Sequence, residues 1–245
     1  MENALVVGLS AQMALNRNME IIANNIANAS TTGFKREAPL FEELLVPVDD
    51  PQGSISGGGM VSFVRDWGVV RDMTAGPLEQ TGGTLDVAVD GNGMLVVNTA
   101  AGERYTRDGH FKLDAQGKLV TSDGNPVLSD GGEIVIPPGE SEIKIARDGT
   151  VSTRQGAAGK LRIVSFAASA LSKEGKNLYS ANAPAAPATD ARVMQGMIER
   201  SNVEPVVEMT KMIEVQRAYQ HSTETLNATD DIIRRAAQRL GDVKV

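Results

Sequence analysis

The residues best equipped for chemistry in this 245-residue chain are the loop Asp90-Gly91-Asn92-Gly93 and the segment Tyr105-Thr106-Arg107-Asp108-Gly109-His110. A DGNG loop offers side-chain oxygens at alternate positions, as a calcium loop requires. Met94 and Leu95 then fill the places where further oxygen ligands belong, so calcium is not expected. Gly91 and Gly93 are no dinucleotide fingerprint either, because the residues that follow read as a strand and not a helix. His110 and His221 lie far apart in the chain and lack metal-ligand spacing. The chain has no cysteine, which removes disulfides and thiolate metal sites. Tyr105-Thr106-Arg107 and both histidines read as turn and surface residues. With 31 acidic residues a converging carboxylate pair is always imaginable, so that idea carries no weight alone. The pairs Glu42-Glu43 and Asp49-Asp50 are adjacent, their side chains do not converge, and they read as a solvated face. There is no G-x-S-x-G, S-x-x-K, Walker loop or H-E-x-x-H. The expectation is therefore no catalytic residue, no metal and no cofactor.

Composition narrows the remaining classes. Hydrophobic residues make up 41% of the chain, enough for a core, but aromatics only 4%. Ligand pockets favour aromatic walls, so this scarcity weighs against a small-molecule enzyme. A net charge of −7 gives no positive footprint for nucleic acid. Met1–Gln12 has no basic n-region and carries Glu2, so no cleavable secretory signal is expected. No uncharged apolar run approaches the roughly 20 residues that span a bilayer, and membrane insertion is not expected. Taken alone, composition predicts a soluble, cytosolic chain.

The elements that would position any site fall into four stretches. Residues 3–30 predict a helix in which Leu5, Gly8, Gln12, Leu15, Met19, Ile22, Ile26 and Ala29 alternate by three and four, widened by Leu9 and Met13. Both a coiled-coil seam and an ordinary amphipathic core helix fit that spacing. At 1.5 Å per residue the helix is about 40 Å long and needs a partner. Asn24, Asn25 and Asn28 crowd its end, where amide side chains can serve orphan backbone groups, and Gly33 suits a left-handed stop. Residues 37–83 read as an extended connector with Pro39, Pro47, Pro51 and Gly57-Gly58-Gly59, in which Leu40–Val48 and Met60–Val70 suit strand or hairpin arms. Trp67 is expected to pack locally.

Residues 84–200 predict a β domain of short strands, with turn dipeptides such as Asp90-Gly91, Gln116-Gly117, Asp123-Gly124 and Asp148-Gly149 every eight to twelve residues. Within it Ala167–Arg192 reads as a long surface return, and Val193–Ile198 as a last strand. Ser201-Asn202-Val203-Glu204 has capping-box form with Pro205 in the first turn. The helix that follows to about Leu240 keeps strict three-four spacing through Met212, Val215, Tyr219, Ser222, Leu226, Thr229, Ile233, Ala236 and Leu240. The fold class is α+β: N- and C-terminal helices (1–36 and 201–245) pair as a coiled-coil-like element, with a central, mostly antiparallel all-β domain. Any apolar stripe left over would pack on neighbouring molecules.

Three ordered segments carry a resemblance. ANNIANASTTGFKR at 23–36, LDVAVDGNGMLVV at 85–97 with YTRDGHF and GKLVTSDGNPV after it, and SNVEPVVEMTKMIEVQRAYQ at 201–220 resemble the flagellar basal-body rod, hook and hook-associated family. The modest length and IVIPPGESEIKIARDGTVS favour a proximal rod protein, with the distal rod and hook proteins as competitors. Met94 stands where the family usually has a large aromatic, which puts one packing contact in doubt. The resemblance implies a non-enzymatic subunit, exported through the flagellar type III apparatus without cleavage and polymerised helically across the periplasm with copies of itself and other rod proteins. It implies assembly roles for Asn24, Asn25, Asn28, Gly33, Phe34 and Lys35, and for Met209, Met212, Val215, Tyr219, Leu226 and Ile233. The asparagines alternatively serve only as caps within one subunit. A rival from another class is a periplasmic hydrolase or binding module acting on peptidoglycan through the β domain.

Overall fold

A computed structural model describes residues 2–47, 60–137, 139–140, 142–175 and 177–241. Two units are present, and neither is a continuous stretch of chain. The helical unit combines residues 1–27, 37–72 and 204–245, and the β unit combines residues 28–36 and 73–203. Asp49-Asp50, Pro51 and the glycine triplet at 57–59 lie outside the described residues.

In the helical unit, helix α1 (Glu2–Ala27) and helix α2 (Pro205–Gly241) run antiparallel. The register is fixed by three contacts. A Cβ added to Gly8 would fall 2.3 Å from Leu226 Cδ2, Gln12 Nε2 donates to Thr223 Oγ1 at 3.0 Å, and Asn25 Nδ2 donates to Glu208 Oε2 at 2.9 Å. Gly8 thus admits the Leu226 side chain where any larger residue would hold the helices apart. The three-four stripe of α2 from Met212 to Ala236 is half-buried throughout, as its spacing requires. On α1 the seam residues Leu5 to Ile26 are turned inward, but Leu9 and Met13 face outward and do not widen the stripe.

Two sequence expectations at the helix ends need correction. α1 stops at Ala27, three residues early, because Asn28 and Thr31 close a turn of their own, with Thr31 N donating to Asn28 O at 3.1 Å. Ser201 does not cap α2. It accepts from Val203 N in a local turn, while Glu208 N donates to Glu204 O, which makes Glu204 the cap residue and Pro205 the first helical position.

Two segments, Glu37–Pro47 and Met60–Arg71, form the longest strands among the described residues. Strand β1 (Glu37–Pro47) pairs with strand β2 (Met60–Arg71) from Glu37↔Arg71 to Pro47↔Met60, with a bulge at Leu40/Phe41. Trp67 is exposed, and the Arg65 guanidinium lies 5.3 Å from its ring centroid.

Every strand pairing in the β unit is antiparallel. The strands include β3 (Leu78–Gln80), β4 (Val87–Asp90), β5 (Met94–Thr99) and β6 (Gly102–Thr106). The largest sheet has six strands in the order 171–174, 178–181, β6, β5, 163–165, 186–187. Its main core runs from Val87, Leu95 and Val97 through Leu119, Val127 and Ile134 to Val151 and Val193. The turn glycines Gly117, Gly124 and Gly149 have φ of 79°, 87° and 88°, as their dipeptides predict. Asp90–Gly93 is not a hairpin turn, because β4 pairs with 192–195 and β5 with β6. Nor is Ala167–Arg192 a surface return: three of its strands join the large sheet, and Leu171 and Tyr179 are buried.

Met94 packs in a buried cluster with Leu171 and Tyr179, beside a cavity of about 110 Å³ that Met73, Phe166 and Arg107 also line. A residue shorter and slimmer than an aromatic leaves such a space unfilled. Met94→Phe should therefore raise stability by about 0.5–1 kcal/mol, read as a higher urea midpoint with unchanged slope.

Candidate functional site

The residues singled out in the sequence gather around two buried polar clamps, one in each unit. In the β unit, residues 28–36 leave the helix end as a tight turn. Gly33, at φ 69°, puts its N–H 2.7 Å from Glu199 O, where it donates. Asn177 Nδ2 donates to Thr32 O at 2.8 Å, and Lys173 Nζ sits 4.3 Å from the centroid of the buried Phe34 ring. The next side chain, Lys35, is fully buried. Its Nζ donates to Glu199 Oε1 at 2.5 Å and to Thr74 O at 2.6 Å.

Glu199 is fully buried as well and is satisfied from several directions. Oε1 accepts from Lys35 and from Gly76 N at 2.9 Å, and Oε2 accepts from Arg107 Nη1 at 3.1 Å. Arg107 also donates to Val89 O and Gly91 O, which ties the DGNG loop to the clamp. Asn202 completes the arrangement, accepting from Arg36 N at 2.7 Å and donating to Thr74 O at 3.2 Å. Three distant pieces of chain (33–36, 74–77 and 199–202) are thereby laced together.

In the helical unit the clamp centres on Asn25. Its Nδ2 donates to Glu37 O at 2.7 Å and to Glu208 Oε2, and its Oδ1 accepts from Glu37 N at 3.0 Å. Lys211 Nζ donates to Glu208 Oε1 at 2.8 Å, and Arg71 Nε to Glu37 Oε1 at 3.0 Å. Asn25 is thus no helix cap. It satisfies a strand backbone and a carboxylate on the facing helix. Asn24 is exposed and Asn28 is half-buried in the turn to Thr31. Met212, Val215, Tyr219, Leu226 and Ile233 lie half-buried along α2, whereas Met209 is 47% exposed and off that stripe.

Sequence reading missed Arg107, Glu199 and Glu208. Thr106 and Arg107 are buried, contrary to their assignment to turn and surface. A charged residue between strand residues, as in Met197-Ile198-Glu199-Arg200, was the available signal. Its partner lies 164 positions away, which no local pattern reveals.

The arrangement is built as a strut. Glu199 already accepts from a lysine, an arginine and a backbone amide, which leaves about one of its four acceptor positions open. Among the described residues no group of acids and histidines is placed to hold a metal ion. His110, with its side chain 61% exposed, bonds Asp86 Oδ1 through Nδ1 at 2.7 Å. No helix among the described residues is long and apolar enough to cross a membrane.

Two folded units, each closed by a buried polar clamp, have the make-up of a structural protein. The comparisons agree with that class. A model of the flagella basal body rod protein matches residues 5–35, one of the flagellar hook protein FlgE/F/G D1 domain matches 88–153, and one of the flagellar basal body rod FlgEFG protein C-terminal region matches 194–239. The chain belongs to the flagellar basal-body rod family. It is 45% identical to the basal-body rod protein FlgF of Caulobacter vibrioides, over 99% of this chain and all of that one. It is 32% identical to FlgF of Mesorhizobium japonicum, over 98% and 99%, and 34% identical to FlgG of Bacillus subtilis, over 95% and 97%.

Three outcomes follow from this geometry. Glu199→Gln removes the only charge shown to bind both Lys35 and Arg107, and should cost about 3 kcal/mol or more in chemical unfolding. Gly33→Ala should cost at least about 2 kcal/mol, because φ is left-handed and the new Cβ would fall 2.5 Å from the Arg107 carbonyl carbon. The third concerns Asp108, whose carboxyl burial pushes above its ordinary value of 3.8, although the His110 backbone N–H and the Asn177 side chain oppose the shift. The folded state then holds this proton more tightly than the unfolded state. The stability this group contributes is full below 3.8 and is lost as pH rises through the higher folded value. Asp108→Asn should raise the urea midpoint at neutral pH, and the gain should vanish in acid.

Proposed function

We propose that this chain is a non-enzymatic structural subunit of the proximal flagellar rod, built helically into the shaft that carries torque from motor to hook. The observation that carries the reading is likeness along the whole length to rod proteins, at 45% identity for the Caulobacter FlgF. A torque-bearing tube needs stiffness, and stiffness comes from buried seams repeated by heterologous, non-closing contacts. The half-buried α2 stripe of Met212, Val215, Tyr219, Leu226 and Ile233 supplies the seam within a subunit. Met209 and Asn24 face outward, where a neighbour would meet them. Asn25 acts on assembly indirectly by fastening α1 to α2, and Asn28, Gly33, Phe34 and Lys35 by fixing the turn of the β unit, each in a shape that neighbours recognise.

Other rod and basal-body proteins are the partners this reading requires. Export through the flagellar type III apparatus, without cleavage of the N-terminus, belongs to the same proposal. A cysteine-free chain suits it, since no disulfide can lock the polypeptide before it is threaded.

The test is mass spectrometry of detergent-washed hook–basal bodies from cells that make the protein. The chain should be present with its N-terminus intact beyond Met1. Recovery only as free protein, with none in washed basal bodies, would overturn the rod assignment.

A further inference from the structure

Arg107 carries a buried donor that no residue meets. Its guanidinium has five N–H groups. Nη1 donates to Val89 O and Glu199 Oε2, and Nη2 donates to Gly91 O. Nε finds no acceptor among the described residues, in a residue only 4% exposed. An unmet buried donor is costly, the more so on a charged group, and such a group calls for a partner. The one carboxylate that Arg107 contacts is also shared, since Glu199 accepts from Lys35 and from Gly76 N as well.

The same side chain lines the hollow of about 110 Å³ beside Met94. Asn92, which is exposed, forms another part of the lining, and Met73, Met94, Phe166 and Leu171 form the rest. Phe166 is held by a tilted ring contact with Tyr105, 4.4 Å between centroids. None of the lining residues is acidic. The volume equals about three to four waters at roughly 30 Å³ each, room for a few heavy atoms and too little for a sugar or a nucleotide. The lining joins a cation and a carboxamide to two thioethers, a phenyl ring and a leucine. A chloride ion would answer the charge and leave the apolar walls unused. A short carboxylate answers both, with oxygens for the two polar groups and an alkyl end for the walls.

We propose that this hollow is a binding site for a short-chain monocarboxylate such as acetate or propionate. The carboxylate accepts from Arg107 Nε–H and from the Asn92 amide, and the methyl or ethyl group lies among Met94, Phe166 and Leu171. Met94 leaves the room that a large aromatic at this position would fill. Arg107 already holds the DGNG loop through Gly91 O and reaches the clamp through Glu199, so an occupant braces both. So few heavy atoms bind modestly, with a dissociation constant of roughly 1–10 mM. The site lies wholly within the β unit and does not depend on the rod assignment.

The test is NMR of the purified full-length protein at neutral pH, following the Arg107 Nε–H signal as sodium acetate is added. The signal should move along a saturating curve with its half-point at about 1–10 mM, and propionate should act alike. Sodium chloride, titrated separately, should bind at least about tenfold more weakly. Met94→Phe fills the hollow without touching a polar group, and should abolish the saturating shift while keeping the dispersed backbone amide spectrum of the folded protein. Asn92→Ala, at an exposed position, should weaken acetate by at least about fivefold. No saturating shift up to about 100 mM acetate, chloride binding as tight as acetate, or an unchanged titration in either variant would each overturn the site.

Discussion

The buried carboxylate of Glu199 sets the terms for the β unit. Taking an ion out of water costs several kcal/mol, and the cost is offset only when every oxygen finds a good partner. Glu199 finds them in Lys35, Gly76 and Arg107. Those partners come from parts of the chain that sheet pairing alone would not bring together. Phe34, Gly33 and the turn from Asn28 follow from the position of Lys35, and the DGNG loop follows from the other hydrogen bonds of Arg107. Apolar residues in these positions would pack as well, but without fixing which segment lies against which.

The helical unit solves a related problem with a neutral amide. Asn25 offers two donors and an acceptor, and it uses them on both backbone groups of Glu37 and on Glu208. Glu208 lies in the first turn of α2, where a negative charge also faces the positive end of the helix dipole. Most clamp residues lie close in sequence to the unit boundaries at 27/28, 36/37, 72/73 and 203/204. Each unit thus fastens its own incoming and outgoing strands. Most of the polar atoms of the clamps are spent on one another, although Arg107 Nε is buried without a partner.

Much of this was legible in residue order. The α2 stripe is half-buried at the positions its heptads name, and the turn dipeptides at 116–117, 123–124 and 148–149 carry the left-handed glycines. The strands at 171–174 and 178–181 were not legible, because four-residue segments such as Leu-Ser-Lys-Glu give no period and little β propensity. They are strands because β6 offers them an edge, through Tyr179↔Tyr105. The asparagine cluster was visible as a peculiarity but its purpose was not. Capping is the local use of an asparagine, and Asn25 is spent on partners 12 and 183 residues away. Arg107 was misassigned for the same reason, since its burial depends on a glutamate near the far end of the chain.

Those separations also order events in time. Lys35 meets its carboxylate across 164 residues and Asn25 meets Glu208 across 183. Synthesis runs from the N-terminus, so α1 and the turn after it emerge long before these two carboxylates do. Closing such loops is entropically costly and slow, and contacts this remote form late. The nascent chain therefore passes most of its synthesis with its first 36 residues offered only nearer partners such as Glu37 and Thr74. Only when residues 199–208 appear can both units shut, and they do so within nine residues of each other. Arrival of that segment is what lets both clamps close.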